Sequence, residues 1–182
     1  MYKRQAKKSD HWNSKLEKKS GNGKLRGRGI ASGYWFNIGE KSAVNLSLNM
    51  DGTVILTEGS TDIGGSRASI AMQAAEVLGI SAESVRPSVV DTDSIGHTDV
   101  TGGSRTTYAT GYAAYKAAHM LIDEITSKAA KIWDISEDEV VYRDGILSSR
   151  TDSELNMTLR EFADQNPFGP VVSSASVDLE EA

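Results

Sequence analysis

The 182-residue chain has no cysteine, only three prolines, few aromatic residues (7%) and three histidines scattered along its length. Without cysteine there is no disulfide framework, no thiol nucleophile and no iron–sulfur ligand set. This fits a reducing compartment, and the expected location is cytoplasmic. The longest apolar runs fall far short of the roughly 20 residues that span a bilayer. The opening Met1-Tyr2-Lys3-Arg4-Gln5 leads into no apolar segment, which argues against a secretory signal. No membrane partner is therefore expected. Zinc-type helix motifs, calcium-loop order and the phosphate-loop and dinucleotide fingerprints are also lacking.

What the chain does have is segregated charge and two glycine loops. Residues 1–28 hold ten Lys or Arg against Asp10 and Glu17, while the whole chain carries a net charge of −5. This basic arm reads as a solvated helix or a disordered segment, with a break at Ser20-Gly21-Asn22-Gly23. It could contact an acidic partner or nucleic acid. Nucleic acid is the weaker reading, because only Tyr2 and Trp12 could stack on bases.

Beyond the arm, residues 29–182 read as one domain, and a chain of this length buries roughly 70% of its unfolded surface. Strand patterns fall at 30–36, 42–50, 53–58 and 85–90. In the second of these, Val44, Leu46, Leu48 and Met50 alternate toward one face. Asp51-Gly52 predicts a two-residue turn with both residues left-handed. Pro87 marks the last strand as an edge or a bulge. Apolar stripes predict a helix over 66–78, with Ser66 as N-cap and Gly79 as terminator, and a long helix over 105–133. A small hairpin about Asp144-Gly145 and a short helix over 158–164 follow. The mixture of hairpins and helices predicts an α+β fold: a two-layer sandwich of a mixed sheet with hairpins and two main helices.

The loops Gly59-Ser60-Thr61-Asp62-Ile63-Gly64-Gly65-Ser66-Arg67 and Thr101-Gly102-Gly103-Ser104-Arg105-Thr106-Thr107 each open one of those helices. A helix start presents unpaired N–H groups and the positive end of the helix dipole. If the two starts converge, they make an anion seat. The alternative is a pair of tight strand-to-helix turns capped by Asp62 or Ser66. Arg105 would then either pair with a phosphate or face solvent. In the loop from Asp91 to Asp99, three carboxylates and His97 suggest a cation site or a general base, but such residues more often cap their own backbone. His119 is expected half-buried in the long helix and His11 solvated. Tyr34, Trp35 and Phe36 are expected to pack beneath the hairpin, with a binding surface as the alternative.

Six segments, taken in order, resemble one family. They are RGRGIASGYW from Arg26, DGTV from Asp51, GSTDIGGSR from Gly59, AAEVLGI from Ala74, DTD from Asp91 and TGGSRTTYATG from Thr101. The family is the molybdopterin-binding large subunit of the xanthine dehydrogenase and aldehyde oxidase enzymes, and the resemblance covers residues 20–180. It implies a molybdenum hydroxylase, an oxidoreductase that inserts a water-derived oxygen into a C–H bond of an aldehyde or N-heterocycle. It also implies a molybdopterin cofactor with molybdenum, in bacterial members usually the cytosine dinucleotide form. The implied partners are the remainder of the large subunit, iron–sulfur and FAD subunits and a small-molecule substrate. By position, Gly64, Gly65 and Ser66 match the family's Gly-Gln-Gly loop, and Gly103, Ser104 and Thr106 match its Ala-Ser-x-Ser loop. Gly65 stands where the family commonly has Gln. The family's catalytic Gly-x-Gly-Glu motif and its upstream glycine-rich phenylalanine loop are not in these 182 residues. The chain is therefore expected to be an internal piece that is inactive alone. A non-catalytic subunit-assembly module is the other reading.

Overall fold

The computed structural model describes residues 2–19, 21–167 and 169–179. Met1 and Ser20 of the expected arm, and Phe168 and residues 180–182 of the expected domain, lie outside them. The chain divides into two compact units, one up to Tyr34 and the other from Trp35 onward.

In the first unit, α1 (Tyr2–Lys8) and α2 (Asp10–Asn13) meet at Ser9. The Ser9 hydroxyl accepts the Trp12 N–H at 3.2 Å and caps α2. The Arg28 guanidinium donates to the Ser14 carbonyl at 2.9 Å and to its hydroxyl at 3.1 Å. The strand expected at 30–36 does not form. Tyr34 is 93% exposed, and Trp35 and Phe36 stack on each other in solvent with ring centroids 5.6 Å apart.

That sheet belongs to the second unit. β1 (Lys41–Leu48) and β2 (Val54–Glu58) are antiparallel, with Leu46 opposite Leu56. Their turn is longer than expected. The Gly52 N–H reaches the Asn49 carbonyl at 3.0 Å, and the Asn49 N–H reaches the Thr53 carbonyl at 2.8 Å. Only Gly52 is left-handed (φ 80°), which is a type I turn closed by a glycine bulge. The Asp51 carboxylate accepts both the N–H and the hydroxyl of Thr53, which stabilises this geometry over the tighter one. Met50 consequently sits in the turn, 44% exposed, and not on the buried face.

From β2 the chain passes through α3 (Ser66–Leu78) to β3 (Val85–Val89), which runs parallel to β2. Pro87 is tolerated because β3 is an edge. Then comes α4 (Thr106–Trp133), which starts one residue later than expected. A three-stranded sheet follows: β4 (Val140–Arg143), β5 (Ile146–Ser149) and β6 (Asn156–Thr158). Its first turn has Asp144 and Gly145 both left-handed, as their identities predict. Thr158 and Glu161 form a capping box for α5 (Leu159–Gln165). β7 (Val171–Asp178) then returns to pair antiparallel with β1. The sequence showed only its first two valines. The main sheet therefore runs β3-β2-β1-β7 and is mixed.

α3 and α4 pack on each other, and α4 also lies against β1 and β7. Ala71, Ala74 and Ala75 on α3, with Ala113, Ala114, Ala117 and Ala118 on α4, are all buried. Their small side chains let the helices approach each other and the sheet closely. Val44, Leu46, Leu48, Val54 and Leu56 fill the space beneath. The result is the expected α+β two-layer arrangement, with two main helices on a mixed sheet.

Candidate anion seat where two helices begin

β2 delivers the first loop from Glu58, whose side chain is buried. Glu58 pairs with the Arg67 guanidinium at 3.2 Å and accepts both the N–H and the hydroxyl of Ser60. Arg67 donates back to the Ser60 carbonyl at 2.9 Å. Asp62 then holds the turn, because one of its oxygens accepts from the Ser66 hydroxyl and the Arg67 N–H, each at 3.2 Å. Gly64 (φ 63°) and Gly65 (φ 81°) are both left-handed, and Gly65, not Ser66, is the N-cap. Ser66 is the first helical residue, and its hydroxyl receives the Ile63 N–H at 3.3 Å. Nothing lies within 4 Å of where a side chain on either glycine would point. These glycines serve the backbone conformation and leave open space beside it.

The second loop is built differently. Gly103 (φ 56°) and Ser104 (φ 58°) are left-handed. A Cβ on Gly103 would fall 2.5 Å from the Ile38 side chain. The Gly103 carbonyl accepts the Ile38 N–H at 3.3 Å, and the Ser104 carbonyl accepts the Asn37 side-chain amide at 2.8 Å. Arg105 neither faces solvent nor reaches toward a ligand. It is fully buried and bonded to backbone, which corrects both expectations for it.

The two loops meet. The Thr61 N–H donates to the Thr101 hydroxyl at 3.3 Å, and the Gln73 side-chain amide donates to the Thr107 carbonyl at 3.1 Å. Between them lies a hollow of about 400 Å³ lined by Ile63, Ser66, Thr101, Gly102, Ser104, Arg105, Thr106 and Thr107. Ser66 and Thr106 are the first residues of α3 and α4, so two helix N-termini open onto one space. Five of the lining residues carry hydroxyls and none carries a carboxylate. Hydroxyl and amide donors at the positive ends of two helix dipoles are a chemistry that receives an anion.

Of the six expected site residues, Ser66, Ser104 and Thr106 line this hollow. Gly64 and Gly65 are exposed in the turn just before Ser66, and Gly103 is turned onto Ile38. Thr101, Gly102 and Thr107 also line it, and the run of hydroxyls around Ser104 was their visible signal. A larger hollow, about 510 Å³, lies on the open face of the main sheet between Asn45, Ile55, Thr57, Val172 and Ser174. No helix begins there, so it lacks the converging N–H groups.

The acidic loop caps itself. Asp91 accepts the Asp93 N–H at 3.0 Å. The His97 ring nitrogen Nε2 lies 2.9 Å from an Asp99 carboxylate oxygen. That bond and the Lys41 N–H hold the Asp99 carboxyl below the usual carboxylate range. Among the described residues no group of three or more His, Asp or Glu could hold a metal ion. His119 is exposed, edge-on to Tyr115 at 4.5 Å, and not half-buried. Among the described residues no helix is long and apolar enough to cross a membrane.

The profile of the molybdopterin cofactor-binding domain matches residues 4–181. Aldehyde oxidoreductase molybdenum-binding subunit PaoC of Escherichia coli (strain K12) is 44% identical over 62 residues, which are 34% of this chain and 8% of that protein. The crystal structure of the Cu,Mo-CO dehydrogenase in its carbon monoxide-reduced state aligns at a TM-score of 0.67 and 23% identity, over 77% of this chain and 18% of that one. Quinoline 2-oxidoreductase from Pseudomonas putida 86 aligns at 0.62 and 19% identity, over 76% and 19%. At these identities the structural likeness speaks for the fold. The chain spans less than a fifth of the length of each of these relatives.

Proposed function

The chain belongs to the molybdopterin cofactor-binding domain family, and on that premise we propose that it is part of a molybdenum hydroxylase large subunit. In this reading the hollow where α3 and α4 begin holds the pterin and phosphate portion of the cofactor. The observation that carries it is the convergence of both helix starts on one space lined by hydroxyls and by no carboxylate. A cytosine dinucleotide form of the cofactor would present its pyrophosphate to the same donors. The amide of Ser104 and the hydroxyls of Ser66, Ser104 and Thr106, which line the hollow, are the proposed contacts, and Gly64, Gly65 and Gly103 shape the turns that present them. A hydrogen bond to a charged group contributes roughly 1.5–3 kcal/mol, so a few of them anchor a dianion. The absent glutamine at Gly65 costs one side-chain contact, and the open space at that glycine leaves room for the ligand itself.

When bound, the molybdenum group supplies oxidative hydroxylation of an aldehyde or N-heterocycle. The residues of this chain bind and orient it. Among the residues lining the hollow only Arg105 is ionisable, and its guanidinium is turned away into the protein. Among the described residues none that lines the hollow carries a carboxylate or imidazole to take a proton, so this chain alone is proposed to show no hydroxylase turnover. Partners supply the rest: the remainder of the large subunit and iron–sulfur and FAD subunits. The exposed row of Tyr108, Tyr112 and Tyr115 on α4, beside Met72 on α3, supports a chain made to be covered by others. Residues 1–28 are read as a basic arm and 29–182 as the partial cofactor-binding domain.

Calorimetric titration of the chain with inorganic pyrophosphate tests the seat. Saturable binding is expected, weakening as salt is added and reduced in Ser104→Ala and Thr106→Val. Absence of saturable heat at low salt would remove the reading.

A further inference from the structure

Arg105 has no exposed surface, yet it carries a charge at the start of the longest helix. Its five N–H donors are all engaged. Nε donates to the Gly39 carbonyl at 2.7 Å. One terminal nitrogen donates to the carbonyls of Asp99 at 2.9 Å and Val100 at 3.3 Å. The other donates to the Lys41 carbonyl and, at 2.6 Å, to the Ser42 hydroxyl. The Ser42 hydroxyl in turn bonds the Thr110 hydroxyl at 2.9 Å, one turn into α4. One residue thus ties together the lead into β1, the segment before Thr101 and the first turns of α4.

The charge has a carboxylate partner but no hydrogen bond to it. The Glu40 carboxylate lies 3.4 Å from Nε, but this oxygen accepts no hydrogen bond among the described residues. A cation at a helix N-terminus adds to the positive end of the dipole and is unfavourable there on its own. An anion in front of that helix offsets it.

We propose that Arg105 is the positioning residue of the anion seat: through its five donated bonds it fixes the second loop against β1, and its buried charge raises the positive field in the hollow without touching the anion. This rests on the anion-seat reading above. Lysine cannot replace it, because an ammonium offers three donors and no planar fork.

The test titrates inorganic pyrophosphate into the full chain and into Arg105→Lys and Glu40→Gln. It also follows amide hydrogen exchange in residues 99–104. Arg105→Lys keeps the charge and loses the fork. Pyrophosphate affinity is then expected to fall about tenfold, and exchange in 99–104 to rise while that in β1 and β2 stays at the wild-type level. Glu40→Gln removes the counter-charge, so affinity is expected to rise about threefold, with a steeper salt dependence. A purely structural role would not predict that gain. If Arg105→Lys does not fold, Glu40→Gln decides alone, and unchanged or weakened binding in it overturns the proposal. A wild-type chain that binds pyrophosphate, with both variants equal to it, overturns this proposal and leaves the seat standing. A wild-type chain that binds none overturns both.

Discussion

The loop from Gly59 to Arg67 and the loop from Thr101 to Thr107 look alike on paper, each a glycine pair followed by Ser-Arg and a helix. In three dimensions they are held by opposite means. The first is fixed by residues within nine positions of one another: Glu58, Ser60, Asp62, Ser66 and Arg67. Gly64 and Gly65 are needed for backbone angle alone. The second is fixed from far along the chain, by Asn37, Ile38, Gly39 and Lys41. The two arginines also differ. Arg67 partners the carboxylate of Glu58, nine positions earlier, while Arg105, with the Glu40 carboxylate 3.4 Å away, gives its hydrogen bonds to four backbone carbonyls and the Ser42 hydroxyl. Equal sequence motifs therefore do not imply equal structural causes.

Substitutions can separate the two. The largest effect is expected for Gly103→Ala, which places a methyl 2.5 Å from the Ile38 side chain in a left-handed backbone. Overpacking and the backbone penalty together cost roughly 3 kcal/mol, read as a drop in the urea midpoint. If the loss matched that of Gly65→Ala, the contrast between the loops would be wrong. Glu58→Gln leaves Arg67 without its charge partner in a largely buried setting and should cost about 2 kcal/mol. The same measurement checks it, with amide exchange expected to rise in 59–66 and not in 101–107. Gly65→Ala meets no neighbouring atom, so only the left-handed penalty applies, about 1 kcal/mol. The smallest effect concerns acid. The Asp99 carboxyl is held low by His97 and Lys41 when folded, so the unfolded chain takes up its proton first as pH falls. Its stabilising contribution is complete above the ordinary carboxylate range and disappears as pH drops through the folded value. Protection of the Lys41 amide, which donates to this carboxylate at 2.7 Å, should fall across that interval when exchange is taken relative to the intrinsic rate at each pH. Protection that stays constant there would refute it.

Much of the fold was legible because its signals are local. The alternation of Val44, Leu46 and Leu48, the alanine stripes of α3 and α4, the left-handed pair Asp144-Gly145 and the edge-marking Pro87 each act over a few residues. β6 and most of β7 were not legible. β7 alternates valine and alanine with serine, and its partner β1 lies about 130 positions earlier, so only the pairing reveals it. The residues 30–36 failed in the other direction: their composition is strand-like, but they form no strand. At the candidate site, Ser66, Ser104 and Thr106 could be named from their place at helix starts. The burial of Arg105 could not, because its acceptors are backbone carbonyls, which every residue carries.

By itself the sequence determined, to within a residue, where α3 and α4 begin, which loops bear glycine and which cofactor family the chain resembles. These follow from short-range sterics, periodicity and ordered motifs. Only the tertiary structure decided that both helix starts open onto one hollow, that Gly103 makes way for Ile38 and that Arg105 turns inward. Each of those depends on which distant backbone arrives beside it, and close packing, not local preference, sets that.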